Sequence, residues 1–179
     1  MLCGVVAISG CEQEAPHAAL PDAKPEAVFQ GKPLSGWVRE LSEGEVDVRR
    51  RAAKALGAMG SGGREGLGAL EQSLVKADED AIVRFVAAVS IWELSGEVGR
   101  VMPTLRSMLR SDDLEVCYRS ALALEIIGKP AAAAEGDLRR VVQAYSSRDS
   151  SKLSYDEQLL LVTAKGALDK IQGEDGIKH

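Results

Sequence analysis

The fold is decided by the stretch Val48-Arg49-Arg50-Arg51-Ala52-Ala53-Lys54-Ala55-Leu56-Gly57-Ala58-Met59-Gly60, because related stretches begin at Val83, Val116 and Leu160. In each copy, apolar or small residues occupy the first position and positions +4, +8 and +11: Val48, Ala52, Leu56, Met59; Val83, Ala87, Ile91, Leu94; Val116, Ser120, Leu124, Ile127; Leu160, Ala164, Leu168, Ile171. This spacing predicts one buried stripe on an α-helix. The first three copies begin 35 and 33 residues apart, and self-similarity at such a period predicts a helical repeat architecture.

A second apolar pattern alternates with the first. It comprises Leu67, Leu70 and Leu74, then Met102, Leu105 and Leu109, then Glu135, Leu138 and Val142, where the first apolar position is lost. Gly60, Gly96 and Gly128 follow the first helices, where glycine favours a helix end, and acidic residues ending at Asp80 and Asp113 precede first helices, where they can cap. The last helix is predicted from about Tyr155 to Gln172.

These patterns together predict an all-α chain. We expect an α-solenoid of about four stacked antiparallel helix pairs over residues 34–172, beginning with a half-repeat at Leu34 and followed by a polar tail at 173–179.

The repeat resembles HEAT repeats, in the short bacterial form related to bilin-lyase HEAT-like repeats. The motif is Val-Arg-x-x-Ala-Ala-x-Ala-Leu-x-x-Met-Gly, followed by a turn and Leu-x-x-Leu-x-x-x-Leu. The resemblance is strongest over 48–74 and 83–113, and weaker in the third unit, which has Cys117 where the earlier copies have Arg49 and Arg84. It implies a curved superhelix that binds other proteins, with the second helices lining its concave side.

The N-terminus looks like that of a bacterial lipoprotein. An apolar run ends in Ile8-Ser9-Gly10-Cys11, which resembles a lipobox, and the segment from Glu12 to Pro33 is rich in Ala, Pro, Glu and Lys. We therefore expect a signal peptide at 1–10 and a lipidated Cys11 followed by a disordered tether at 11–33. No Lys or Arg precedes the apolar run, so we expect the true start to lie further upstream.

Composition and charge restrict the class of function. The 179-residue chain has 27 acidic and 22 basic residues and a net charge of −5, which argues against general nucleic-acid binding. No apolar run approaches the ~20 residues that span a bilayer. With Cys3 removed and Cys11 lipidated, Cys117 has no partner for an internal disulfide, and we expect it to be a small, partly buried helix residue.

The sequence offers little catalytic chemistry. Its only histidines are His17, in the predicted tether, and His179, at the last position. No His, Cys and carboxylate residues have metal-ligand spacing, and a Ser-His-acid set is not possible within the repeats. We therefore predict no enzymatic activity, no metal, no cofactor and no small-molecule substrate.

The candidate protein-binding surface consists of polar residues opposite the apolar stripe of the second helices. Under the geometry that the resemblance implies, these are Arg100, Ser107, Arg110, Arg140 and Gln143. Arginines in adjacent repeats of an acidic protein would form a local positive strip facing an acidic partner. The alternative is an ordinary solvated face with i,i+4 partners.

Two classes of function remain. The favoured one is a lipid-anchored, non-enzymatic scaffold or adaptor of the bacterial cell envelope, periplasmic or on the outer surface, which binds protein partners. The alternative is a bilin-lyase-like protein that acts with an enzyme partner on a tetrapyrrole-bearing client in the cytoplasm. A DNA-binding HEAT protein is disfavoured by the net charge.

Overall fold

A computed structural model describes residues 25–76 and 79–173. This part of the chain is all-α and forms eight α-helices: α1 Leu34–Glu43, α2 Val46–Ala58, α3 Leu67–Val75, α4 Ala81–Ser95, α5 Met102–Met108, α6 Leu114–Ile127, α7 Glu135–Ser146 and α8 Tyr155–Gln172. The only strands in these ranges are β1 Val28–Phe29 and β2 Lys32–Pro33. The all-α prediction is confirmed, and both predicted ends of the last helix coincide with those of α8.

Local side-chain chemistry explains where several helices begin and end. The Asp80 carboxylate accepts hydrogen bonds from the backbone amides of Ile82 and Val83, and the Asp113 carboxylate caps α6 in the same way. These bonds satisfy amides that have no partner within the helix. At the other end of α4, Gly96 adopts a left-handed conformation with φ of 68°. Both predicted acidic caps are therefore confirmed.

Tight turns precede the second helices. A 3-10 segment covers Gly60–Gly66 before α3, and another covers Lys129–Ala134 before α7. The first is glycine-rich, and α3 begins only after it, at Leu67.

Helix packing follows the order of the repeats. Helix α2 packs against α4, α4 against α6, and α6 against α8. Helices α1, α3, α5 and α7 pack against α2, α4, α6 and α8, respectively. The predicted stripes form the core between them, and the fully buried members include Leu56, Leu70, Ile91, Leu105, Leu124, Leu138 and Leu160.

Small residues allow α2 and α4 to approach closely at Gly57. A Cβ atom added at Gly57 would lie 2.5 Å from the Ser90 hydroxyl and 3.2 Å from its Cα atom. The same hydroxyl donates a hydrogen bond of 3.0 Å to the carbonyl of Ala53, so the buried oxygen is satisfied. The alanines of the repeat motif have the same consequence, because Ala52, Ala87, Ala121 and Ala164 are all fully buried.

The segment before α1 differs from the expectation of a disordered tether up to residue 33. Strands β1 and β2 pair antiparallel as a hairpin, and the Trp37 indole donates a hydrogen bond of 3.2 Å to the carbonyl of Phe29. This bond holds the hairpin against α1. The predicted signal peptide, the lipobox residues Ile8, Ser9 and Gly10, and Cys11 lie outside the described residues, as do the last six residues of the tail.

Candidate functional site

Three arginine side chains surround Asp137, in the first turn of α7. Its side chain is only 1% exposed. Arg106 Nε donates to one carboxylate oxygen at 2.6 Å, and Arg110 Nη2 donates to the other at 2.8 Å. Arg140 Nη2 also donates to that second oxygen. We call Arg106, Arg110, Arg140 and Asp137 the arginine cluster.

Sequence spacing and helix packing together build this cluster. Arg106 lies in the last turn of α5, and Arg110 follows four residues later, just past the end of that helix. Arg140 lies three residues after Asp137, on the same side of α7. The Asp137 carboxylate thus connects the C-terminal end of α5 to the N-terminal end of α7.

The cluster carries an excess of positive charge at the surface. Three guanidinium groups share one carboxylate, and the arginine side chains are 42–62% exposed. The pairing with a buried acid holds these exposed groups in one arrangement. The cluster is therefore a preorganised positive patch on a chain of net charge −5.

Two effects oppose each other at the Asp137 carboxyl. Burial raises its pKa, while the hydrogen bonds from Arg106 and Arg110 lower it and prevail, so that the pKa lies below its ordinary value. Asp137 is therefore ionised at neutral pH and able to hold all three arginines.

A shallow groove of about 250 Å³ lies beside the cluster. Arg110, Arg140 and Asp137 line it together with the apolar Val141 and the ring of Tyr145. Burial, the main cause, raises the pKa of the Tyr145 hydroxyl, which is thus a neutral hydrogen-bonding group near pH 7. The groove combines charge, an aromatic ring and apolar walls, a mixture suited to a protein side chain.

Cys117 also lines the groove, but its thiol is engaged. It is 5% exposed, and Sγ lies 3.0 Å from the carbonyl oxygen of Ser111. Burial raises the pKa of the thiol, so that the reactive thiolate is disfavoured. The sequence predicts a small, partly buried helix residue, and the structure shows a thiol that is almost completely buried.

Arg49 and Arg84, which occupy the position of Cys117 in the earlier repeats, show what a residue at this position does. Arg49 Nη1 donates to the carbonyl of Gly44 at 2.7 Å, and Arg84 Nε donates to the carbonyl of Leu74 at 3.0 Å. Each residue thus bonds a free carbonyl at the end of the preceding helix, as Cys117 does after α5. The repeat arginine has a structural role, and a thiol can replace it.

The five residues of the predicted surface do not form one group in the structure. Arg110 and Arg140 come together at Asp137, as the strip hypothesis requires. Ser107 and Gln143 are exposed on α5 and α7 but take no part in the pairs around Asp137. Arg100 lies in the Val98–Arg100 turn before α5 and pairs with Glu71 at 2.7 Å and Glu97 at 2.6 Å.

Arg100 is therefore neutralised by acids of its own surroundings. Its pKa is raised by hydrogen bonds to Glu71 and then to Glu97. The alternative expectation of a solvated face with local partners describes Arg100 well. It also describes Arg139, which pairs with Glu135 four residues earlier at 2.7 Å.

Sequence reasoning missed Arg106 and Asp137. The available signal was the spacing of Asp137 and Arg140, which predicts an i,i+3 pair, but an acid in the first turn of a helix more often faces water. Only the packing of α5 against the turn before α7 shows that this acid is buried.

Metal chemistry and similarity to other proteins add no further site. Within residues 25–76 and 79–173, no three His, Cys, Asp or Glu side chains are grouped so that they could hold a metal ion. None of the helices described there is long and apolar enough to cross a membrane. The chain matches no known family model and shows no significant similarity to a curated protein.

Proposed function

We propose that the protein is a lipid-anchored scaffold of the bacterial cell envelope, built as a HEAT-like α-solenoid, that binds an acidic surface of a partner protein. The arginine cluster is the observation that carries this proposal. The ordered packing of α2, α4, α6 and α8, with the same stripe buried in each, supports the solenoid architecture.

The partner is inferred from charge. One guanidinium charge of the cluster is balanced by Asp137, and the remaining charge of about +2 faces solvent. Aspartate and glutamate side chains of a partner match guanidinium groups in geometry and charge. Because Asp137 already orders the arginines, less conformational entropy is lost on binding than for free side chains.

The anchor is inferred from the Ile8-Ser9-Gly10-Cys11 motif. A lipid on Cys11 would confine the helical body near the membrane and raise its effective concentration toward any partner held there. The solenoid then needs only a moderate intrinsic affinity for that partner.

Crosslinking in the native host tests the partner. The double variant R110Q/R140Q removes two surface charges and keeps Asp137, while the control R139Q/R148Q removes two exposed arginines that pair outside the cluster. We expect one envelope protein to crosslink to the wild type and the control, and to be lost from R110Q/R140Q. Equal recovery by both double variants would reject the arginine cluster as the binding surface.

Fractionation of the same cells tests the anchor. We expect the wild type in membranes and Cys11→Ala in the soluble fraction. If both are soluble and unprocessed, the anchored scaffold is rejected and the cytoplasmic, tetrapyrrole-related alternative becomes the leading hypothesis.

A further inference from the structure

A second cavity lies at the opposite end of the described chain, between the β1–β2 hairpin and helices α1 and α2. Its volume is about 390 Å³, within the range of small-molecule sites. Nothing in the repeat pattern predicts it, because the hairpin supplies one wall. The indole of Trp37 fixes that wall through its bond to the Phe29 carbonyl.

The cavity contains more positive than negative charge. Lys32, Arg51 and Lys54 line it, opposed only by Glu40 among the residues that form its wall. Lys32 is already occupied: its ammonium group pairs with Glu40 and lies 4.1 Å from the centroid of the Trp37 ring.

Arg51 and Lys54 are the cations left without a counter-charge. They lie three residues apart on α2 and hence on one face of the helix. Neither forms an ion pair or a side-chain hydrogen bond with another residue in the described ranges. The neighbouring Arg50, by contrast, points to Asp47 and pairs with it at 2.9 Å.

The remaining wall is mostly apolar, with Gln30 as the one uncharged polar side chain, apart from the Trp37 indole, among the described residues that line the cavity. Phe29, Ala55 and Ala58 line the cavity beside the two free cations. A ligand that fits must therefore carry negative charge at one end and an apolar group at the other. A dianionic phosphate balances two cations, whereas a single carboxylate leaves one of them unbalanced.

We propose that this cavity binds an organic phosphate, with the phosphate between Arg51 and Lys54 and its apolar substituent against Phe29 and Ala58. The phosphate is a monoester, either of a soluble molecule or of a lipid that carries a terminal phosphate. This site shares no residue with the arginine cluster and is independent of the proposed function.

Calorimetric titration of the full-length chain tests the proposal. The probes are phenyl phosphate, which is a monoester with an apolar group; inorganic phosphate, which lacks that group; and dihexanoyl phosphatidic acid, which is a short-chain lipid monoester. The double variant R51Q/K54Q removes the free cations. R50Q/R64Q removes the same charge from two exposed arginines that do not line the cavity.

We expect at least one of the two organic probes to bind the wild type more tightly than inorganic phosphate. For that probe, R51Q/K54Q should weaken binding at least tenfold, and R50Q/R64Q should change it less than twofold. Tighter binding of phenyl phosphate assigns the site to a soluble monoester, and tighter binding of the lipid assigns it to a membrane phosphate.

Two results would overturn the proposal: no binding of either organic probe to the wild type at millimolar concentration, or equal weakening by the two double variants. Ala58→Glu provides a second test that leaves both cations in place. It introduces a carboxylate at an exposed position of the cavity wall and should also abolish binding, while circular dichroism shows whether each variant is folded.

Discussion

At the scale of single residues, Asp137 is the side chain on which the candidate surface depends. It is buried, and its charge is accepted in the interior only because three arginines donate hydrogen bonds to it. The same pairing fixes the positions of Arg106, Arg110 and Arg140. Stability and surface charge therefore have a common origin.

Asp137→Asn should destabilise the protein. The asparagine amide has the shape of the aspartate side chain but lacks the charge to which the arginines donate. A hydrogen bond to a charged group contributes about 1.5–3 kcal/mol to stability. Each bond to Asp137 contributes less than this, because the arginine side chains remain partly hydrated. We expect the free energy of unfolding in urea to fall by about 1–3 kcal/mol. Glu135→Gln, which removes one charge of a surface i,i+4 pair, should have a much smaller effect. An equal effect of the two substitutions would contradict this role.

The contribution of Asp137 to the free energy of unfolding should decrease at acidic pH. The folded-state pKa is depressed, so the contribution is complete above the unfolded value of about 3.9 and is lost as the pH falls through the lower folded value. The difference in unfolding free energy between wild type and D137N should be constant from about pH 7 to pH 5 and shrink below about pH 4. Urea unfolding of both proteins at each pH measures it. A difference that persists undiminished at pH 2 would show that ionisation of Asp137 is not its source.

At the scale of helices, small residues set the distance between neighbours. Helices α2 and α4 approach closely where Gly57 faces Ser90, and the buried alanines of each copy allow similar contacts along the stack. The small residues of the repeat motif thus determine how closely neighbouring helices pack, and its apolar stripe determines which face of each helix is buried.

Gly57→Ala and Gly68→Ala should have opposite effects. A Cβ at position 57 meets the Ser90 side chain and backbone, so overpacking should destabilise the protein by about 1–3 kcal/mol despite the better helix propensity. A Cβ at position 68, in α3, meets nothing within 4 Å, so alanine should stabilise by up to about 1 kcal/mol. Thermal unfolding of the two variants compares them directly. Stabilisation by both would show that α2 and α4 are not closely packed at Gly57.

The acidic caps give a second prediction at this scale. Asp113→Ala removes the acceptor for two amides of α6 and should cost about 1 kcal/mol. Asp112→Ala is the matched control, since Asp112 is exposed and makes no capping bond to α6. Urea unfolding should therefore separate the two neighbouring aspartates, and similar losses would argue against a specific cap.

At the scale of the whole molecule, each helix contacts mainly those next to it in the repeat order. Helix α4 packs against α2, α3 and α6, whereas α1 has neighbours on one side of the stack. If the helices form the proposed solenoid, the free energy of unfolding is approximately a sum of repeat and nearest-neighbour contributions.

Hydrogen exchange should follow this arrangement. We expect the amides of α4 and α6 to exchange most slowly and those of α1 and of the last turns of α8 to exchange faster, because the ends of a stack open without disrupting its centre. Mass spectrometry of peptides from each helix measures the gradient. Uniform protection across all eight helices would instead indicate one indivisible cooperative unit and would contradict the solenoid proposal.

The sequence by itself determined the helices and the residues that they bury. The bounds of α8, the caps at Asp80 and Asp113 and the buried stripes depend on periodicity and on bonds between residues two to four apart, which can be recognised in a linear chain. Only the tertiary structure decided the sites. Asp137 meets arginines 27 and 31 residues away, and the second cavity needs a hairpin placed against α1 and α2. Such contacts depend on the spacing and angle of packed helices, and periodicity within one helix does not encode these.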